Sequence, residues 1–138
     1  MNYLSIVALG IASLGYLTAA AAQSPQAVAA GELVVEPATL ISLGFEWYIE
    51  GDADRDAAVA VAYRRAGEDE WRDSLPLLRV QNERTFYVET LYYTAPNMFA
   101  GSVFELQENT EYEVRLTLSD PDGVFAGMPS NTASTACT

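Results

Sequence analysis

Residues 99–118 constrain the fold of this chain more than any other stretch. They read as a strand, a tight polar corner and a second strand, in which Tyr112, Val114, Leu116 and Leu118 alternate with Glu113, Arg115 and Thr117. A period of two marks a strand with one face buried and one face wet. Leu106 closes the first strand, Thr110 precedes the second and Tyr112 begins it, which is what a tyrosine corner requires. In such a corner the ring packs inward while the hydroxyl returns to the backbone across the turn, fixing how two stacked sheets connect. Asn109 suits the turn because asparagine tolerates left-handed backbone better than most residues. The motif specifies architecture rather than chemistry.

The rest of the chain reads the same way. Ile41, Leu43, Phe45, Trp47 and Ile49 fall on one face of a strand, with Ser42, Gly44, Glu46, Tyr48 and Glu50 on the other. Val59, Val61 and Tyr63 alternate with alanines and Arg64 in a third strand. Residues 33–35 form a first edge strand ended by Pro37, and residues 71–78 form a further strand whose Pro76 places it at an edge. Residues 80–97, rich in β-formers, form either an extra hairpin or a packed loop. Residues 119–123 are a Pro- and Gly-containing turn, and residues 132–135 a last short strand. The expected core is Ile41, Leu43, Phe45, Trp47, Val59, Val61, Tyr63, Leu106, Tyr112, Val114, Leu116 and Leu118.

The corner, the inward Trp47 and the order Tyr63-Arg64-Arg65, Gly67, Trp71 together resemble a fibronectin type III module over residues 33–135. The sequence departs from that family in carrying Glu108-Asn109 where Pro-Gly is common, and in the length of residues 79–97. The resemblance implies an all-β, immunoglobulin-like or fibronectin type III β-sandwich of two antiparallel sheets.

Ahead of this unit, residues 4–22 are apolar almost throughout and end in a run of alanines. Ala20 and Ala22 satisfy the small-x-small cleavage pattern, so residues 1–22 read as a signal peptide and the mature protein as secreted or periplasmic. The alternative is an uncleaved membrane anchor through residues 4–22, since about 20 residues cross a bilayer. Residues 23–32 read as a linker and 33–136 as the domain. The sole cysteine, Cys137, excludes an intramolecular disulfide and reads as part of a frayed tail.

Composition limits the chemistry. Nineteen acids face seven arginines, there is no lysine, and the net charge is −12. Such a field repels nucleic-acid phosphates and anionic bilayers, so nucleic acid is excluded as a partner and membrane enters only through an uncleaved amino terminus. The chain has no histidine. That removes the usual general base, every Ser-His-Asp or Cys-His arrangement and the commonest zinc ligand. Glu46 and Glu50 share a strand face about 13 Å apart at ~3.3 Å per residue, beyond the ~5–9.5 Å that glycoside hydrolases use. Asp52, Asp54 and Asp56 begin like an EF-hand loop, but Ala57 and Tyr63 stand where glycine and glutamate are needed. A weak calcium site at this turn, or at Asp120 and Asp122, is the remaining metal reading. No catalytic residue, cofactor or metal is assigned.

Exposed aromatics stack on sugar faces, which makes Tyr87, Tyr92 and Tyr93 candidate ligand contacts; the competing reading turns Phe86, Val88 and Tyr92 toward the core. The chain therefore reads as a secreted, non-catalytic fibronectin type III-like interaction or spacer module, with an unidentified protein or polysaccharide as partner. The alternatives are a carbohydrate-binding module, or the detached amino-terminal domain of a larger secreted polysaccharide-active enzyme with a β-helix.

Overall fold

The strict alternation of residues 43–50 places one strand at the centre of a sheet, and the computed structural model, which describes residues 26–88, 91–125 and 130–137, shows what surrounds it. The first sheet runs, in spatial order, β10 (Val124–Phe125), β1 (Val28–Val35), β2 (Leu43–Gly51), β8 (Met98–Val103) and β5 (Leu78–Val80). The second runs β11 (Ser130–Ala136), β9 (Glu111–Ser119), β3 (Ala58–Arg65) and β4 (Arg72–Asp73). A third, two-stranded sheet pairs β6 (Arg84–Val88) with β7 (Leu91–Thr94). All pairings are antiparallel except β1 with β10. The described residues contain no helix.

The two larger sheets share one hydrophobic core. Leu43, Phe45, Trp47 and Ile49 of β2 meet Val59 and Val61 of β3 and Tyr112, Val114, Leu116 and Leu118 of β9 there, with Phe99 and Val103 of β8. Trp47 is fully enclosed, and its indole N–H donates to the Gly31 carbonyl at 3.3 Å. Truncating such a ring costs about 3–5 kcal/mol. Gly31 sits where the β1–β2 register slips between Ala30 and Leu33, and a Cβ there would stand 2.8 Å from the Tyr48 carbonyl oxygen. Only glycine lets β1 approach so closely.

Several expectations are corrected. Strand β1 begins at Val28, so residues 28–32 belong to the sheet rather than to a linker, and β10 covers its outer edge. Ile41 is 54% exposed and leaves the core list. The reason is local: Thr39 and Ser42 close a turn, with the Thr39 N–H on the Ser42 carbonyl at 3.0 Å, and the turn interrupts the alternation before β2 starts. Tyr63 is only partly buried, its ring tilted against Tyr112 at 6.2 Å.

Residues 71–78 do not form one strand. After β4 the chain follows β3 (Ser74 and Leu77 N–H groups on the Val61 and Val59 carbonyls) and then crosses to the first sheet as β5. Pro76 lies between these bonds, where no N–H is needed. Trp71 lies on the outer face, with the guanidinium groups of Arg64 and Arg115 over its ring at 4.5 and 4.2 Å.

Residues 80–97 resolve into the β6–β7 hairpin. Strand β11 is longer than residues 132–135 and pairs with β9 along its whole length. Cys137 is fully buried in the core rather than frayed, and its N–H donates to the Thr110 carbonyl at 3.2 Å. Residues 1–25, which hold the signal-peptide or anchor reading and the start of the linker, lie outside the described residues. No helix among the described residues is long and apolar enough to cross a membrane.

Candidate functional site

Three groups of side chains were singled out in the sequence, and they occupy three different places. The corner residues are structural. The Gln107 N–H donates to the Tyr112 hydroxyl at 3.0 Å, across the turn that links β8 to β9. Leu106 is buried beneath it, and the Thr110 hydroxyl donates to the Glu108 carbonyl at 3.0 Å. Asn109 adopts φ 51°, the left-handed conformation that asparagine admits. This constellation joins the two sheets and offers no reactive group.

The aromatic residues form the second group. The base of the β6–β7 hairpin is closed by the Asn82 and Ala95 N–H groups, bonded to the Ala95 and Glu83 carbonyls at 3.0 and 2.9 Å. A further tie is the Arg55–Glu83 ion pair at 2.9 Å. Beyond that base the hairpin is a sheet of its own. Phe86 and Tyr92 are cross-strand neighbours, edge to face at 5.3 Å, with the Arg84 guanidinium 5.1 Å from the Tyr92 ring. Phe86, Tyr92 and Tyr93 are 69%, 54% and 58% exposed, so the reading that turned Phe86 and Tyr92 toward the core is overturned. The hairpin lies outside both large sheets, and neither face of the core needs these rings. The Tyr87 and Val88 side chains lie outside the described residues.

The third group is acidic. Asp52, Asp54 and Asp56 occupy the β2–β3 turn, and Asp120 and Asp122 the β9–β10 turn. The β3–β9 register, with Ala58 opposite Ser119, brings the two turns together. Carboxylate oxygens of Asp52, Asp56 and Asp120 lie within 4.8 Å of one another, as do those of Asp54, Asp56 and Asp122. Asp56 belongs to both triads.

Asp52 anchors the inner side of this cluster. It is fully buried at φ 52°, accepts the Ala57 N–H at 3.1 Å and pairs with Arg79, whose side chain is 10% exposed. Arg79 also donates to the Val80 carbonyl at 2.6 Å and stands 5.3 Å from the Phe99 ring. Arg55, in the same turn, points away to Glu83.

The outer carboxylates crowd one another. Loss of hydration where the turns meet, followed by the charges of Asp54, Asp120, Asp122 and Asp52, raises the Asp56 carboxyl above its ordinary range. Asp122 is raised by loss of hydration, the Asp54 charge, a side-chain hydrogen bond to Asp54 and the Asp120 charge.

Each acidic turn carries a signal in the sequence; their meeting carries none, because it depends on strand register. The Asp52–Arg79 pair is likewise invisible in a linear reading. Nucleophilic chemistry finds little here. The Cys137 thiol is enclosed and pushed up by burial, away from the reactive thiolate. An open depression over β3 and β9 is lined in part by Ala60, Ala62, Asp73, Arg115, Thr117 and Ser130. No protein-family model matches this chain, and no curated protein matches it.

Proposed function

We propose that this protein is a secreted, non-catalytic interaction module of the fibronectin type III-like kind, with the β6–β7 hairpin as its contact element. The observation that carries the reading is the exposure of Phe86, Tyr92 and Tyr93 on a hairpin that the sandwich does not need for its own core. Large rings left in water are costly unless a partner covers them, since each exposes area worth about 25 cal/mol per Å². The second sheet's order, β4-β3-β9-β11, together with the inward Trp47 and the Tyr112 corner, supports the fibronectin type III-like assignment.

The aromatic faces also favour a carbohydrate as the ligand. A neutral polysaccharide suits them best, because a net charge of −12 opposes anionic polymers. Electrophoresis through gels containing neutral glucans, xylans or mannans tests this, with serum albumin as the unretarded reference. Retardation of the purified protein, lost in a Phe86→Ser/Tyr92→Ser/Tyr93→Ser variant that still melts as wild type, is the expected result. Equal mobility in every gel removes the polysaccharide reading and leaves a protein-binding or spacer role.

A further inference from the structure

The acidic junction between the β2–β3 and β9–β10 turns has a feature that charge alone does not supply. The Asp120 carboxylate gives one oxygen, Oδ1, to the Asp122 N–H at 2.6 Å. Its other oxygen, Oδ2, exposes less than 1 Å² and has no hydrogen-bond partner among the described residues. A sealed carboxylate oxygen without a donor is expensive, on the order of 1–3 kcal/mol or more for a charged group. The Asp120 carboxylate also sits among other anions, since one of its oxygens lies within 4.8 Å of oxygens of Asp52 and Asp56. Water or a neutral donor would satisfy one lone pair; only a cation satisfies the oxygen and offsets the crowded charge together.

The local charge count is lopsided. Among the described residues, five carboxylates (Asp52, Asp54, Asp56, Asp120 and Asp122) meet here against the guanidinium of Arg79, which is bound to Asp52. Gln26, at 3.5 Å from Asp54, adds only a neutral amide.

We propose that this junction binds a hard divalent cation of the calcium class, with Asp56 and Asp120 as inner ligands. Asp52 supplies a third oxygen, and Asp54 and Asp122 close the outer side directly or through water. The donor set decides the class of metal. All-oxygen, carboxylate-rich sites without histidine or thiolate suit hard cations and not zinc or copper. Calcium accepts six to eight oxygens in flexible geometry at about 2.3–2.6 Å and takes carboxylates readily, whereas magnesium demands octahedral geometry at about 2.0–2.1 Å and keeps most of its water. The ion would fasten the ends of β3 and β9 and hold the turn that delivers β10 to β1. The site shares no ligand residue with the hairpin.

The test uses the purified full chain, stripped with EDTA and exchanged into metal-free buffer, and read by thermal unfolding and calorimetric titration. Calcium at 10 mM should raise the melting midpoint by about 5 °C or more, as expected for a site with a dissociation constant of about 10⁻⁴ M. Magnesium at the same concentration should do less than half as much. In Asp120→Asn and Asp56→Asn the calcium shift should fall by at least three-quarters, while Asp69→Asn, outside the junction, should keep it. Both junction variants remove a repelling charge, so they should fold and melt no lower than wild type in EDTA. The proposal is overturned if calcium does no more than sodium chloride of equal ionic strength, or if the Asp120→Asn and Asp56→Asn variants retain the full shift.

Discussion

Replacing Arg79 by methionine isolates the buried ion pair that holds the β2–β3 turn to the sandwich. Methionine keeps the unbranched stem packed beside Phe99, so the cavity is small and the main effect is electrostatic. Asp52 would then remain fully enclosed with the Ala57 N–H at 3.1 Å as its nearest donor. Removing one member of a buried pair costs about 3–5 kcal/mol, because the other charge is stranded. The lost contact with the Phe99 ring adds about 0.5–1 kcal/mol. At roughly 4 °C per kcal/mol for a domain of this size, the midpoint should fall by about 14–24 °C. Urea unfolding in EDTA, with thermal melts alongside, measures the change.

The mechanism also forecasts a rescue. Asp52→Asn in the Arg79→Met background should recover at least half of the loss. Asparagine keeps an acceptor for the Ala57 N–H and tolerates φ 52°, but carries no charge. A loss below about 1 kcal/mol, or a double variant no more stable than Arg79→Met, refutes the argument that a desolvated carboxylate dominates the cost.

Two further outcomes follow from other parts of the fold. Tyr112→Phe removes only the hydroxyl that accepts the Gln107 N–H and should cost about 1–2 kcal/mol in urea unfolding; a variant that unfolds as wild type contradicts the corner's role. The Asp56 and Asp122 carboxyls are raised in the folded protein, so their contribution to stability is fully present below the ordinary carboxylate pKa and is lost as pH rises through the raised values. In EDTA, Asp122→Asn should therefore melt above wild type at neutral pH, and the gap should close as pH falls through the carboxylate range; a gap independent of pH removes the repulsion argument.

The sequence by itself determined the parts of this protein that depend on local pattern. Alternation in residues 43–50, 58–65 and 112–118 identified the inward face of three strands, because side-chain direction in a strand repeats every two residues whatever surrounds it. The tyrosine corner was legible because all its partners lie within a few positions of one another. Ile41 was misread because the Thr39–Ser42 turn stops the strand just before the pattern does, and hydrophobicity alone does not register a turn.

What tertiary structure decided was contact between segments far apart in the chain. Residues 80–97 were β-prone in either reading, and only the completed core of the two sheets left Phe86, Tyr92 and Tyr93 in solvent. Cys137 looked like tail until β11 paired with β9 throughout and carried it inward. The two acidic turns were separate weak signals until Ala58 stood opposite Ser119, and no property of either turn specifies that register. It comes from the burial of Val59, Val61, Leu116 and Leu118 on a shared face, where a slip of one residue would turn all of them outward. The chemistry at the acidic junction is thus a consequence of core packing elsewhere in the sheet.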